Sequence, residues 1–179
     1  MKDPAETSPS ATHLAADDAR RRVQTAFAAP PGDVSACVVV PTSGSTGEPR
    51  RVQVSGSALH ASGAATAARL GGHGSWLLAL PTTHVAGLQV GARSVLAGTV
   101  PVVLDLEASF RGTAFAAAAD RLDGTRRYTS LVPTQVHRLV AEARAGDPAG
   151  MDALASFDAV LLGGEPGPVV DLADHPHRG

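Results

Sequence analysis

The chain reads as an α/β protein with a mainly parallel sheet covered by helices, and two observations carry that reading. Apolar runs of strand length, at 36–40, 76–80, 100–104, 128–132 and 158–162, alternate with Ala-rich stretches of helix length at 57–69, 86–97, 113–122 and 134–144. With 179 residues, 44% of them hydrophobic and 18% charged, the chain is long enough for one domain with a real core. In open sheets of this kind, ligands bind beyond the carboxyl ends of the strands.

Taken in order, residues 1–12 are rich in Pro, Ser and Thr and are expected to be disordered, with one unit following over 13–179. Residues 13–28 form an amphipathic helix, in which Asp17 with Arg21 and Asp18 with Arg22 are i,i+4 pairs and Val23 and Phe27 share an apolar stripe. The arginine run is thus a solvated helix face, and Pro30-Pro31-Gly32 ends the helix. A β-branched strand, Val38-Val39-Val40, runs into Pro41, and a second short apolar segment, Val52-Gln53-Val54, lies beyond the next loop. Ser57 is the expected N-cap of the following helix, and Thr134 lies near the start of the last one. Gly71-Gly72 and Gly98 stop two of the helices. The residues after Pro166 show no helical stripe.

Composition removes several classes of function. A net charge of −2 gives no electrostatic case for nucleic acid or an anionic membrane. No stretch is long and apolar enough to span a bilayer, and the acidic N-terminus lacks the order of a signal peptide. Cys37, the single cysteine, cannot form an internal disulfide and reads as a small core residue, which fits a cytoplasmic location. Aromatic residues are scarce at 3%, so the core rests on Ala, Val and Leu. Lys2 is the only lysine.

The most informative segment is Thr42-Ser43-Gly44-Ser45-Thr46-Gly47-Glu48-Pro49-Arg50. A strand delivers the chain into a loop of glycines and short hydroxyls, whose backbone N–H groups can approach a polyanion closely, with Arg50 adding a cation. A solvated Ser/Gly turn is the bland alternative, and the preceding strand weighs against it. The loop is not a Walker loop, because Gly47 is followed by Glu48 rather than lysine. No Gly-x-Gly-x-x-Gly fingerprint occurs, and no Gly-x-Ser-x-Gly elbow supports a serine hydrolase.

Three further segments could carry chemistry. In Leu80–Gln89 a histidine, His84, sits between an apolar strand and a helix start, where it either caps the helix or faces an acyl group. Arg93 falls within an apolar helix, and such a cation either snorkels to solvent or meets an anion. Gly163-Gly164-Glu165 ends the last strand, either as a plain turn or as the border of a ligand.

Thr42–Pro49 closely resembles the phosphate-binding signature of the acyl-adenylate-forming (AMP-binding) enzymes, Thr-Ser-Gly-Ser/Thr-Thr-Gly-x-Pro-Lys. Pro81–Leu88, Tyr128–Gln135 and Leu161–Gly164 follow in that family's order. Arg50 stands where the family usually has lysine, Arg51 where glycine is common, and Glu165 where a small residue is usual. The most similar subfamily is the o-succinylbenzoate–CoA ligases of menaquinone biosynthesis, on Gly72–Pro81, Val85–Val90 with Arg93-Ser94, and Arg127–Val132. The resemblance implies the N-terminal part of an adenylation domain. Thr42, Ser43, Gly44, Ser45, Thr46, Gly47 and Arg50 would hold ATP phosphates. His84, Gln89 and Arg93 would line the pocket of an aromatic carboxylic acid, and Gly163, Gly164 and Glu165 would border the adenine.

ATP, Mg²⁺ and CoA are the implied co-substrates and cofactor. The family's catalytic lysine, its Tyr-Gly-x-(Ser/Thr)-Glu loop and its ribose-binding aspartate have no counterpart after residue 165. No catalytic side chain is therefore expected in this chain, which by itself should be inactive. The alternative is a non-catalytic nucleotide- or partner-binding remnant of such an enzyme.

Overall fold

The computed structural model describes residues 11–28, 37–42, 50–105 and 109–163. The elements run α1 (Ala11–Ala28), β1 (Val38–Thr42), β2 (Arg50–Val54), α2 (Gly56–Arg69), β3 (Ser75–Leu78) and α3 (Val85–Leu96). They continue with β4 (Val102–Val103), α4 (Gly112–Ala119), β5 (Arg127–Leu131), α5 (Pro133–Arg144), α6 (Ala149–Ala155) and β6 (Ala159–Leu162). β4, β3, β5 and β6 lie side by side in that order, all parallel, with Trp76 opposite Tyr128 and Thr129 opposite Val160. The expected α/β architecture is present.

β3 shows why the sheet needs helices on both sides. Its four residues are all buried, and alternate side chains serve opposite faces. Leu77, with Ala79 just beyond the strand, meets Leu131, Phe115, Val136, Leu139 and Leu154, a core formed with α4, α5 and α6. Trp76 and Leu78 meet Tyr128 and Val90 on the other face, where α3 lies. A third cluster joins α1, β1, α2 and α3 through Val23, Ala26, Val40, Leu59, Leu88 and Ala92. α3 is thus buried on two sides, against the sheet and against the α1–α2 layer. Each of its fully buried Leu and Val side chains contributes about 1.5–3 kcal/mol of burial free energy.

Several expectations need correction. The first strand belongs to an antiparallel ribbon with β2, Val38 opposite Val54 and Thr42 opposite Arg50, and not to the parallel sheet. The first helix begins at Ala11, inside the segment expected to be disordered; residues 1–10 lie outside the described residues. On that helix Arg21 pairs with Asp18 at 3.8 Å, and Arg22 donates to the Val39 carbonyl at 3.3 Å, so the run also ties the helix to β1. The N-cap of α2 is Ser55, whose Oγ accepts from Ala58 N at 3.2 Å, and not Ser57. Gly56 fixes that start, because a Cβ there would collide with the Ala26 carbonyl of α1. Cys37 is half-buried and precedes β1. Helix α6, which the sequence pattern did not suggest, follows Gly146 at φ +99°. Among the described residues, no helix is long and apolar enough to cross a membrane.

Candidate functional site

The first turn of α3 is pressed against the chain that leaves β3. A Cβ on Gly87 would collide with the carbonyls of Leu80 and Pro81, so a glycine is required for this approach. The turn is closed by His84 N donating to Pro81 O at 3.1 Å, and α3 begins with Leu88 N donating to His84 O at 3.0 Å. His84 is the N-cap residue in extended conformation, yet its imidazole makes no capping hydrogen bond and is exposed. The capping alternative for this side chain is therefore not realised.

Farther along α3, polar atoms accumulate without partners. Gln89 Oε1, Arg93 Nε and Ser94 Oγ are buried and lack hydrogen-bond partners, three of the five such side-chain atoms among the described residues. Gln89 and Arg93 are four apart and share a face of the helix. The Arg93 guanidinium carbon lies 5.1 Å from the centroid of the Trp76 ring, a cation–π geometry. Desolvation lowers its pKa from the ordinary arginine value. The stem passes Gly63 of α2, where an added Cβ would lie 3.8 Å from Arg93 Cγ. Arg93 is thus a half-buried cation with an aromatic neighbour and an unused donor. His84 stands nine residues earlier, about 13 Å along the axis at 1.5 Å per residue, so the two mark opposite ends of α3 rather than one face.

The carboxyl ends of the other strands close on the same helix. A Cβ built on Gly163, just after β6, would lie 4.0 Å from the Ala86 Cβ, so the last strand ends beside the first turn of α3. Gly163 N donates to Leu131 O at 3.1 Å. Gln135, a residue the site reading did not single out, binds two strand ends together. Its Nε2 donates to Ala79 O at 2.9 Å beyond β3, and its Oε1 accepts from Val132 N at 3.0 Å beyond β5. A glutamine three residues past a helix N-cap is the signal that could have found it. Thr42 and Arg50 face each other across the β1–β2 ribbon and form the two ends of the Ser/Thr/Gly loop. Ser43, Gly44, Ser45, Thr46 and Gly47, like Gly164 and Glu165, lie outside the described residues.

Residues 2–173 match the AMP-binding enzyme family. The chain belongs to that family. Over 143 residues it is 49% identical to the probable 2-succinylbenzoate–CoA ligase of Mycobacterium tuberculosis, a match covering 79% of this chain and 36% of that protein. The 2-succinylbenzoate–CoA ligase of Escherichia coli is 33% identical over 135 residues, covering 74% of this chain and 26% of that protein. Among solved structures, the fold superposes on the O-succinylbenzoate coenzyme A synthetase of Bacillus subtilis in complex with AMP. That superposition has a TM-score of 0.55 and 28% identity over 73% of this chain and 31% of the other. A malonyl-CoA ligase product complex gives a TM-score of 0.57 and 27% identity over 75% of this chain and 29% of the other. The chain therefore spans about a third or less of the relatives it matches. Its AMP-binding fold places α3 and the ends of β3, β5 and β6 together.

Proposed function

We propose that this protein takes part in ATP-dependent activation of an aromatic acid carrying two carboxylates, of the 2-succinylbenzoate type, and in its transfer to CoA. The observation that carries the reading is Arg93, a half-buried cation that lies beside an indole and has a buried Nε without a hydrogen-bond partner, four residues from Gln89, whose buried Oε1 also lacks one. An aromatic dicarboxylate complements that surface. One carboxylate accepts a charge-assisted hydrogen bond worth about 1.5–3 kcal/mol, and the ring replaces water against Trp76. The kinship with 2-succinylbenzoate–CoA ligases supports the same substrate class.

In this reading the other carboxylate is the one activated. Its oxygen attacks the α-phosphorus of ATP, and the bond from that phosphorus to pyrophosphate breaks. The CoA thiol then attacks the acyl carbon, AMP leaves with the bonding pair, and the thiol proton passes to solvent. The chain's share is binding and orientation. The loop from Thr42 to Gly47 offers backbone N–H groups and hydroxyls to the β- and γ-phosphates, and Arg50 supplies positive charge as pyrophosphate departs. His84 borders the acyl group at the start of α3, and Gly163 to Glu165 border the adenine. Magnesium supplies charge neutralisation on the phosphates when bound. Among the described residues there is no group of three or more His, Cys, Asp or Glu that could hold a metal ion.

Trp76, the single tryptophan, reports directly on this site. Titration of the chain with o-succinylbenzoate should change its emission saturably, and Arg93→Ala should abolish the change. A benzoate lacking the second carboxylate should give a far weaker response. Equal responses to both acids would remove Arg93 as the carboxylate ligand.

A further inference from the structure

Ala86, Gln89 and Arg93 fall at i, i+3 and i+7 of α3 and share one face of that helix. Ala86 adjoins Gly163 at the end of β6, and Arg93 lies over Trp76 of β3. Gln89 stands between them, about 4.5 Å along the axis from Ala86 and about 6 Å from Arg93 at 1.5 Å per residue. An apolar cluster lies next to it: Trp76, Leu78 and Tyr128 meet Val90 of α3, and Ala159 and Leu161 of β6 pack against them. Gln89 is half-buried there, and its Oε1 is buried with no hydrogen-bond partner, as is Arg93 Nε. An acceptor and a donor one helical turn apart are complementary, yet these two do not bond to each other. A buried amide oxygen without a partner costs free energy that an apolar side chain of the same length would avoid.

We propose that Gln89 is a specificity-determining residue: its carboxamide donates a hydrogen bond to a ketone oxygen placed between the two carboxylates of the acid. This deepens the proposed function and rests on it. The acid named for the relatives, 2-succinylbenzoate, is an aryl ketone. At neutral pH its polar groups are two carboxylates and the ketone, all of them acceptors. A side chain that binds it directly must therefore donate. Rotation about the last torsion of Gln89 exchanges its oxygen for its NH₂ group, so the carboxamide can do so. The order of groups agrees with this. With the ring carboxylate on Arg93 and the ring against Trp76, the ketone bonded to the ring comes next, in the direction of Ala86, where Gln89 stands. A methylene in place of the ketone would leave the carboxamide unpaired, and a site built to hydrogen-bond a ligand group discriminates against the analogue that lacks it.

The test titrates the chain with 2-succinylbenzoate and with its analogue carrying a methylene in place of the ketone, and follows Trp76 emission. The keto acid should bind roughly fivefold or more tightly than the analogue. Gln89→Met, similar in length but without the amide, should bring the two acids within about twofold of each other, chiefly by weakening the keto acid. Gln89→Ala serves for the same comparison where the longer side chain disturbs folding. A second readout does not depend on affinity. With carbon-13 at the ketone carbon and saturating acid, the bound resonance should lie downfield of its position in the Gln89→Met complex, because only the unaltered chain donates to the ketone oxygen. Binding of the two acids within twofold by the unaltered chain overturns the proposal. So does an equal preference for the keto acid in both proteins, or the same ketone resonance in both complexes. Both acids keep both carboxylates, so these failures leave the Arg93 reading standing. The absence of a saturable response to either acid overturns both.

Discussion

At the scale of single residues, Arg93 shows what a sequence gives and what it withholds. A cation inside Gly91-Ala92-Arg93-Ser94-Val95-Leu96 is conspicuous without any structure. Its neighbour Trp76 sits seventeen positions earlier on another element, and only the packing of α3 across β3 brings the two within cation–π range. Burial lowers the pKa of Arg93, and its Nε has no hydrogen-bond partner, so part of the desolvation cost of this cation is not recovered by hydrogen bonding. Arg93→Met, which keeps the apolar stem, should therefore change unfolding free energy by less than about 1 kcal/mol while abolishing the Trp76 response to the dicarboxylate. A loss of 3 kcal/mol or more would assign Arg93 to the fold. The segment Thr42–Gly47, proposed to hold the phosphates, stands out in the sequence for the opposite reason: the chemistry proposed for it needs only contiguous backbone and hydroxyl groups. In a protein completed with the relative's remaining segments, Thr46→Val or Gly44→Val should greatly reduce acid-dependent ATP–pyrophosphate exchange without unfolding the domain. Wild-type exchange in both variants would dismiss the loop.

Among elements, the periodic strands and helices were readable, and the errors fall where tertiary contact decides. Ser55 displaces Ser57 as N-cap because Gly56 must abut the Ala26 carbonyl, a constraint from a helix about thirty residues away. β1 pairs antiparallel with β2, and an apolar run looks the same in either kind of sheet. α6 is seven residues long, too short for a stripe to register. β5 illustrates how one side chain fastens two elements. Tyr128 is buried with its hydroxyl donating toward Leu70 O at 3.2 Å and Gly72 O at 3.3 Å, which ties the end of α2 to the sheet. Burial is the main cause that raises its pKa above the ordinary phenol value. The folded state therefore holds the proton more tightly than the unfolded state. The stability this provides is complete below the unfolded value of about 10 and is lost as pH rises through the folded value. Tyr128→Phe should cost about 1 kcal/mol near neutrality and flatten the alkaline fall in the urea midpoint. Because Tyr128 is the only tyrosine, its phenolate absorbance reports the folded pKa without ambiguity. An identical alkaline slope in the variant would put the titration elsewhere.

For the molecule as a whole, recognition of a phosphate-binding motif and possession of an activity are separate matters. The chain belongs to the AMP-binding enzymes, and its described residues gather the start of α3, a desolvated arginine and the ends of β3, β5 and β6. Adenylation, however, depends on several positioned charges acting at once on the departing pyrophosphate, and one loop supplies only part of them. Lys2, the sole lysine, belongs to residues 1–10 outside the described structure, and no segment after residue 165 matches the family's Tyr-Gly-x-(Ser/Thr)-Glu pattern. Residues 1–179 by themselves, supplied with ATP, Mg²⁺, CoA and o-succinylbenzoate, should therefore give no steady production of AMP or thioester. The same mixture should turn over once the remaining segments of the M. tuberculosis relative are added or fused. The comparison separates two roles for this chain. Restoration that depends on Thr46 and Arg93 assigns it the binding half of an enzyme. Structural association without restored turnover identifies a non-catalytic relative, and steady turnover by residues 1–179 alone would mean that other groups in this chain perform the work of the family's lysine.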